Sequence, residues 1–170
     1  MTQKFMKKTL VFIHGLESTA RGTKGQYFQK HFPEMTVEDF SGNFAARMGK
    51  LNYILEEKEN LIIVGSSYGG TMAVQYTGEN EEKVRKLILL APALGIPELS
   101  LAPGKIFNIP VILYHGTKDN VVDPYTVKHI AQKLFVHLEH HLVDDDHFLH
   151  KTFPCLNWFK LLETQRFKNS

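Results

Sequence analysis

The sequence predicts a three-layer α/β/α sandwich built on a six-stranded, mostly parallel sheet. Three observations predict it. The strand-like runs, Leu10 to Ile13 and Leu61 to Val64 among them, are short and apolar throughout instead of alternating, the pattern of strands covered on both faces. They alternate with stretches in which apolar residues recur at helical spacing. Most of them end in a turn that carries polar residues, as in His14-Gly15, Ser66-Ser67 and His115-Gly116.

Each element follows from local chemistry. Thr9 to Ile13 is a β-branched and apolar run that ends at His14-Gly15, and a short helix from about Gly22 to His31 is stopped by Pro33. Met35 to Phe40 reads as a second strand, only weakly apolar. Asn43 to Lys58 places Phe44, Met48, Leu51, Ile54 and Leu55 on one helical face. Leu61 to Val64 is the third strand, followed by a sharp turn and a helix to about Gly78. Lys86 to Leu90 is the fourth strand, and Gly95 to Asn108, rich in Pro and Gly, is irregular. Pro110 to Tyr114 is the fifth. Asp123-Pro124 then pairs an N-cap residue with proline at the first helical position, and that helix runs to about Leu134. Val136 to Val143 is the sixth strand and Phe148 to about Phe167 a closing helix. The expected strand order is 2-1-3-4-5-6.

The 170 residues suit one domain, 1–170, with no repeat or linker to divide it. A net charge of +2 with scattered basic residues gives no footing for nucleic acid, and Lys4, Lys7 and Lys8 read as a solvated terminus. No run approaches the roughly twenty apolar residues that span a bilayer, and Leu10 to Ile13 is too short for a signal-peptide core. A single cysteine, Cys155, excludes an internal disulfide, fits a cytoplasmic protein and reads as a small core residue.

Gly65-Ser66-Ser67-Tyr68-Gly69 is the stretch that carries chemistry. It holds G-x-S-x-G between an apolar strand and a helix, the context in which a serine on a strained turn has its oxygen pushed out above the sheet edge. Side chains two residues either side of Ser67 would collide, which glycine avoids. The helix that starts there points its positive end at the same place. A serine hydroxyl needs a base, and the base needs an orienting acid. Asp119 follows the fifth strand and His147 the sixth, each just past the carboxyl end of a parallel strand, where such sheets place their ligands.

These residues make the chain resemble an α/β-hydrolase in a compact form with little or no lid, along essentially its whole length. Its short cap and His14-Gly15-Leu16-Glu17-Ser18 start look most like small bacterial esterases of the YqiA type. The resemblance implies Ser67 as nucleophile, His147 as general base and Asp119 as the orienting acid, with the backbone N–H groups of Leu16 and Tyr68 forming an oxyanion hole. It implies hydrolysis of a small carboxylic ester by an acyl-enzyme route, with no cofactor and no metal. Hydrolysis of thioesters or small amides, or use of the fold as a protein-binding module, are the alternatives. His14, Glu17, Ile96, Val121, Val122 and Phe148 are expected around the substrate, although His14 and His115, each before a glycine at a strand end, also read as buried structural residues. His150 competes with His147, Asp144 to Asp146 read as a solvated loop, and the histidines from His137 to His150 alternate along a strand in a way that keeps them from converging on a metal.

Overall fold

The computed structural model describes residues 7–163. Six strands form one sheet in the order β2-β1-β3-β4-β5-β6, all parallel. They are β1 (Thr9–Ile13), β2 (Thr36–Val37), β3 (Leu61–Ser66), β4 (Val84–Leu90), β5 (Phe107–Gly116) and β6 (Phe135–Val143). The chain between them forms α1 (Thr23–His31), α2 (Phe44–Leu55), α3 (Tyr68–Glu79) and α4 (Pro124–Leu134), and α5 (Trp158–Leu161) follows the last strand.

The apolar runs are explained by two cores, one on each face of the sheet. Val11, Ile13, Ile63, Leu87, Leu89 and Leu113 face α2, α3 and α4. Leu10, Phe12, Ile62, Val64, Ile88 and Leu90 face α1 and the C-terminal segment, where Phe28, Phe153 and Trp158 pack edge to face. Successive residues of a strand point to opposite faces, so a strand covered on both sides must be apolar at every position. Each such side chain removed from water contributes about 1.5–3 kcal/mol. Among the described residues, no helix is long and apolar enough to cross a membrane.

Three expectations are corrected. The second strand spans Thr36–Val37 only, because the chain then bends so that the Phe40 N–H reaches the buried ring of His14. The closing helix from Phe148 does not form. Leu149 takes a left-handed backbone (φ 56°), Phe153–Cys155 is a single 3-10 turn containing Pro154, and Asn157 caps the short α5 by accepting from Lys160 N. Proline lacks the N–H that a continuous helix needs there, and the expected end of that helix, 164–167, lies outside the described residues. Cys155, placed on this turn, is exposed and does not belong to the core.

Candidate functional site

The turn between β3 and α3 holds Ser67 at φ 54° and ψ −118°, a left-handed backbone for a residue with a side chain. Such a conformation costs about 1–3 kcal/mol and persists only where its surroundings enforce it. Here the Ser67 N–H donates to Leu90 O on the neighbouring strand (2.9 Å), and the Ser67 carbonyl accepts from Gly70 N (2.9 Å) and Ala93 N (3.1 Å). The flanking glycines are required by close approach. A Cβ at Gly65 would lie 2.7 Å from Gly69 O, and one at Gly69 would lie 2.2 Å from Ile13 O. The turn is therefore wedged against the end of β1, and Gly15 lies so near that its Cβ would stand 3.3 Å from the Cβ of Ser67.

His147 and Asp119 meet Ser67 at this edge. His147 Nε2 accepts from Ser67 Oγ at 3.0 Å, and His147 Nδ1 donates to Asp119 Oδ2 at 2.6 Å. The Asp119 side chain is fully buried and that of His147 nearly so. Asp119 Oδ1 accepts from the N–H groups of Val121 and Val122, both at 2.8 Å. Burial pushes this carboxyl up, but the donors from Val122, His147 and Val121 outweigh it and hold Asp119 below the ordinary carboxylate value. It is an anion at neutral pH, and the proton that it binds on His147 Nδ1 leaves Nε2 free to accept.

Two structural loops set this geometry, and one of them was hidden in the sequence. Asp145 is not part of a solvated loop. It is buried, and its carboxylate accepts from Asp146 N (2.8 Å), Lys151 N (3.0 Å) and Thr152 N (2.7 Å). Its own carbonyl accepts from Lys118 N at 3.0 Å, and a Cβ at Gly116 would stand 2.3 Å from that carbonyl oxygen. The loop that carries Asp119 is thereby locked to the loop that carries His147. Only the run of three aspartates hinted at this, and such runs are more often solvated.

His115 is the second residue that sequence reasoning did not connect to the site. Its ring is fully buried, and Nε2 lies 2.9 Å from Asp119 Oδ2, the oxygen that also receives His147. The same nitrogen is 3.2 Å from Val122 O, and Nδ1 is buried without a partner among the described residues. Burial lowers its pKa against the opposing pull of Asp119, so it is a neutral ring donating from Nε2. Asp119 thus accepts four N–H donors, two on each oxygen. The spacing His115-x-x-x-Asp119 was the only available signal.

The other expected residues separate into groups. Leu16 is half exposed on the turn after β1, and Val121 and Phe148 are more than half exposed on the loops that carry Asp119 and His147. Glu17 is exposed and Ile96 half-buried. Val122 serves as a clamp on the acid through its backbone. His14 does not face the crevice. It is buried, its Nε2 accepts from Phe40 N (2.9 Å) and its Nδ1 donates to Gly15 O (2.7 Å), so both nitrogens are spent on fixing the turn before Leu16. His150 is exposed and pairs with Asp146 at 2.6 Å, away from Ser67. Among the described residues, no three of His, Cys, Asp or Glu are grouped to hold a metal ion.

Tyr68 opens α3, where the first N–H groups of a helix have no acceptor within it. Neither its N–H nor that of Leu16 has a hydrogen-bond acceptor among the described residues.

The sheet order, the strained serine turn and the two strand-end loops together define an α/β-hydrolase fold. Residues 29–108 match the family model described as serine aminopeptidase, S33. No curated protein matches the chain by sequence. Among solved structures, alpha/beta hydrolase domain-containing protein 10 from mouse superposes with a TM-score of 0.70 at 21% identity, over 84% of this chain and 83% of that one. Est1E from Butyrivibrio proteoclasticus with ferulic acid bound gives 0.71 at 13% identity, over 88% and 85%. A CIB-like hydrolase from Thermoplasma acidophilum gives 0.68 at 17% identity, over 95% and 87%. At these identities the likeness is one of fold.

Proposed function

We propose that the chain is a serine hydrolase that cleaves small carboxylic esters through an acyl-enzyme intermediate. One observation carries this reading: a single imidazole, that of His147, spans the hydroxyl of Ser67 at 3.0 Å and the carboxylate of Asp119 at 2.6 Å. The order of these residues along the chain is the one the fold uses for nucleophile, acid and base.

In the proposed reaction Ser67 Oγ attacks the ester carbonyl while its proton passes to His147 Nε2. The buried Asp119 anion stabilises the imidazolium that forms and fixes its tautomer without taking the proton. The negative charge on the former carbonyl oxygen is met by the N–H groups of Leu16 and Tyr68 and by the positive end of α3; one such donor is typically worth about a hundred- to a thousandfold in rate. His147 then protonates the departing alkoxide, activates water and returns the proton to Ser67 as the acid is released. Leu16, Val121 and Phe148 stand on the three loops around Ser67 and would supply an open apolar rim for a small acyl group. Glu17 and Ile96 belong to the same proposed rim.

Short- and long-chain acyl esters, thioesters and amides turned over by wild type and Ser67→Ala test the proposal. Ester hydrolysis that is fastest with short chains and lost in Ser67→Ala is expected. No turnover of any substrate by folded wild type would refute the reading and leave the fold as a binding scaffold. Faster turnover of thioesters or amides would keep the mechanism and change the substrate class.

A further inference from the structure

Arg47 is a buried cation with no counter-ion among the described residues. It projects from α2, is 5% exposed, and no carboxylate lies within ion-pairing distance of it among the described residues. Its Nε donates to Gly42 O at 3.0 Å and its Nη2 to Leu16 O at 3.3 Å, while Nη1 is buried with no partner among those residues. The guanidinium carbon lies 5.5 Å from the ring centroid of Tyr68, and Phe44 packs on that ring edge-on at 5.6 Å. Taking a charge out of water is costly when no ion pairs with it. A methionine would fill the same space without that cost. The two residues that Arg47 holds besides Gly42 are Leu16 and Tyr68, which come from different loops and carry the two proposed oxyanion donors.

We propose that Arg47 is a positioning residue for the oxyanion hole, an inference that rests on the serine-hydrolase reading. The guanidinium holds Leu16 at its carbonyl, while the peptide that carries the Leu16 N–H is held at Gly15 O by His14 Nδ1 (2.7 Å) and Ser18 N (3.3 Å), so Arg47 and His14 pin this residue from its two ends. The cation over the Tyr68 ring fixes the start of α3 on the other side. One side chain thereby ties the Leu16 turn to the start of α3, two segments that carry the proposed donors and that no other side-chain hydrogen bond joins among the described residues. Its charge, unpaired by any described carboxylate, favours the state in which negative charge develops beside those two residues. Arginine suits the role because its fork makes two directed hydrogen bonds while its charge lies over the Tyr68 ring, a combination that the single ammonium of lysine does not reproduce.

The test compares wild type, Arg47→Met and Arg47→Lys on one short-chain ester, with inhibition by a trifluoromethyl ketone that mimics the tetrahedral adduct. Misplacing donors lowers transition-state binding and leaves ground-state binding alone. Arg47→Met is therefore expected to lower kcat by about 10- to 100-fold with KM within about twofold, and to weaken the ketone by the same factor as kcat/KM. Arg47→Lys, which keeps the charge, is expected to fold like wild type and to recover only part of kcat. If Arg47→Met fails to fold, the lysine variant decides alone. Unchanged kcat in a folded variant, or a loss confined to KM, would overturn the proposal. A wild type that turns over no ester would overturn the hydrolase reading as well, so the two failures are distinguishable.

Discussion

Asp119→Asn is the substitution whose consequence can be worked out atom by atom. The asparagine oxygen can take the place of Oδ1 and keep the N–H groups of Val121 and Val122, each at 2.8 Å. Its NH2 group then stands where Oδ2 was, facing His147 Nδ1 at 2.6 Å and His115 Nε2 at 2.9 Å. Donor meets donor at both contacts. Each ring relieves the conflict by moving its proton to the other nitrogen. For His147 that nitrogen is Nε2, which faces Ser67 Oγ at 3.0 Å and can then no longer accept the hydroxyl proton. The wrong tautomer costs about 10⁴ in kcat, or about 5.5 kcal/mol of barrier. The shape of the side chain is unchanged, so the fold survives. Steady-state kinetics on a short-chain ester, with thermal unfolding beside them, measure both. Activity within tenfold of wild type, or a larger loss from Asp144→Asn, would refute the assignment of the acid; Asp144 is exposed and paired with Lys118.

Two further predictions use the same contacts. His115→Phe removes one of the two donors on Asp119 Oδ2. The acid then loses one of its four fixed donors, and kcat/KM on a short-chain ester is expected to fall by about 3- to 10-fold; an unchanged kcat/KM in the folded variant would leave His115 a purely structural residue. Asp145→Asn weakens the clamp between the Asp119 and His147 loops and is expected to destabilise the fold by about 1–3 kcal/mol at neutral pH. Burial pushes the Asp145 carboxyl up, but the backbone donors of Thr152, Asp146 and Lys151 hold it below its ordinary value. Its contribution is therefore fully present above about pH 4 and lost as pH falls through the lower folded value. Denaturant unfolding should show the gap between the two proteins closing in acid, and a gap independent of pH would contradict this.

The sheet was legible because its strands are buried on both faces, which leaves an apolar run at every central strand and a turn residue at its end. Ser67, Asp119 and His147 were legible for a related reason. Chain order and the carboxyl ends of parallel strands constrain where three distant residues can meet, and the structure brings these three within hydrogen-bonding distance. What the sequence hid were roles that depend on who the neighbour is. Asp145 looks like its exposed neighbour Asp144 until the backbone of Lys151 and Thr152 folds back onto it. His14 and His115 have the same local signature, yet one holds the Phe40 backbone and the other holds the acid. Arg47 lies within a helix whose apolar spacing gives no sign that a cation points inward. The closing helix was misread because helical spacing persists across Pro154, where tertiary burial of Phe153 and Trp158 sets the path instead.

The most direct measurement is mass spectrometry of the protein after treatment with a fluorophosphonate, which phosphonylates a serine far faster when a base withdraws its proton. Wild type is expected to gain one phosphonyl adduct, mapped to the peptide containing Ser67, with labelling abolished in Ser67→Ala and slowed by orders of magnitude in His147→Ala. A folded wild type that gains no adduct, or an adduct that maps to Ser66 and survives loss of His147, would contradict the central claim.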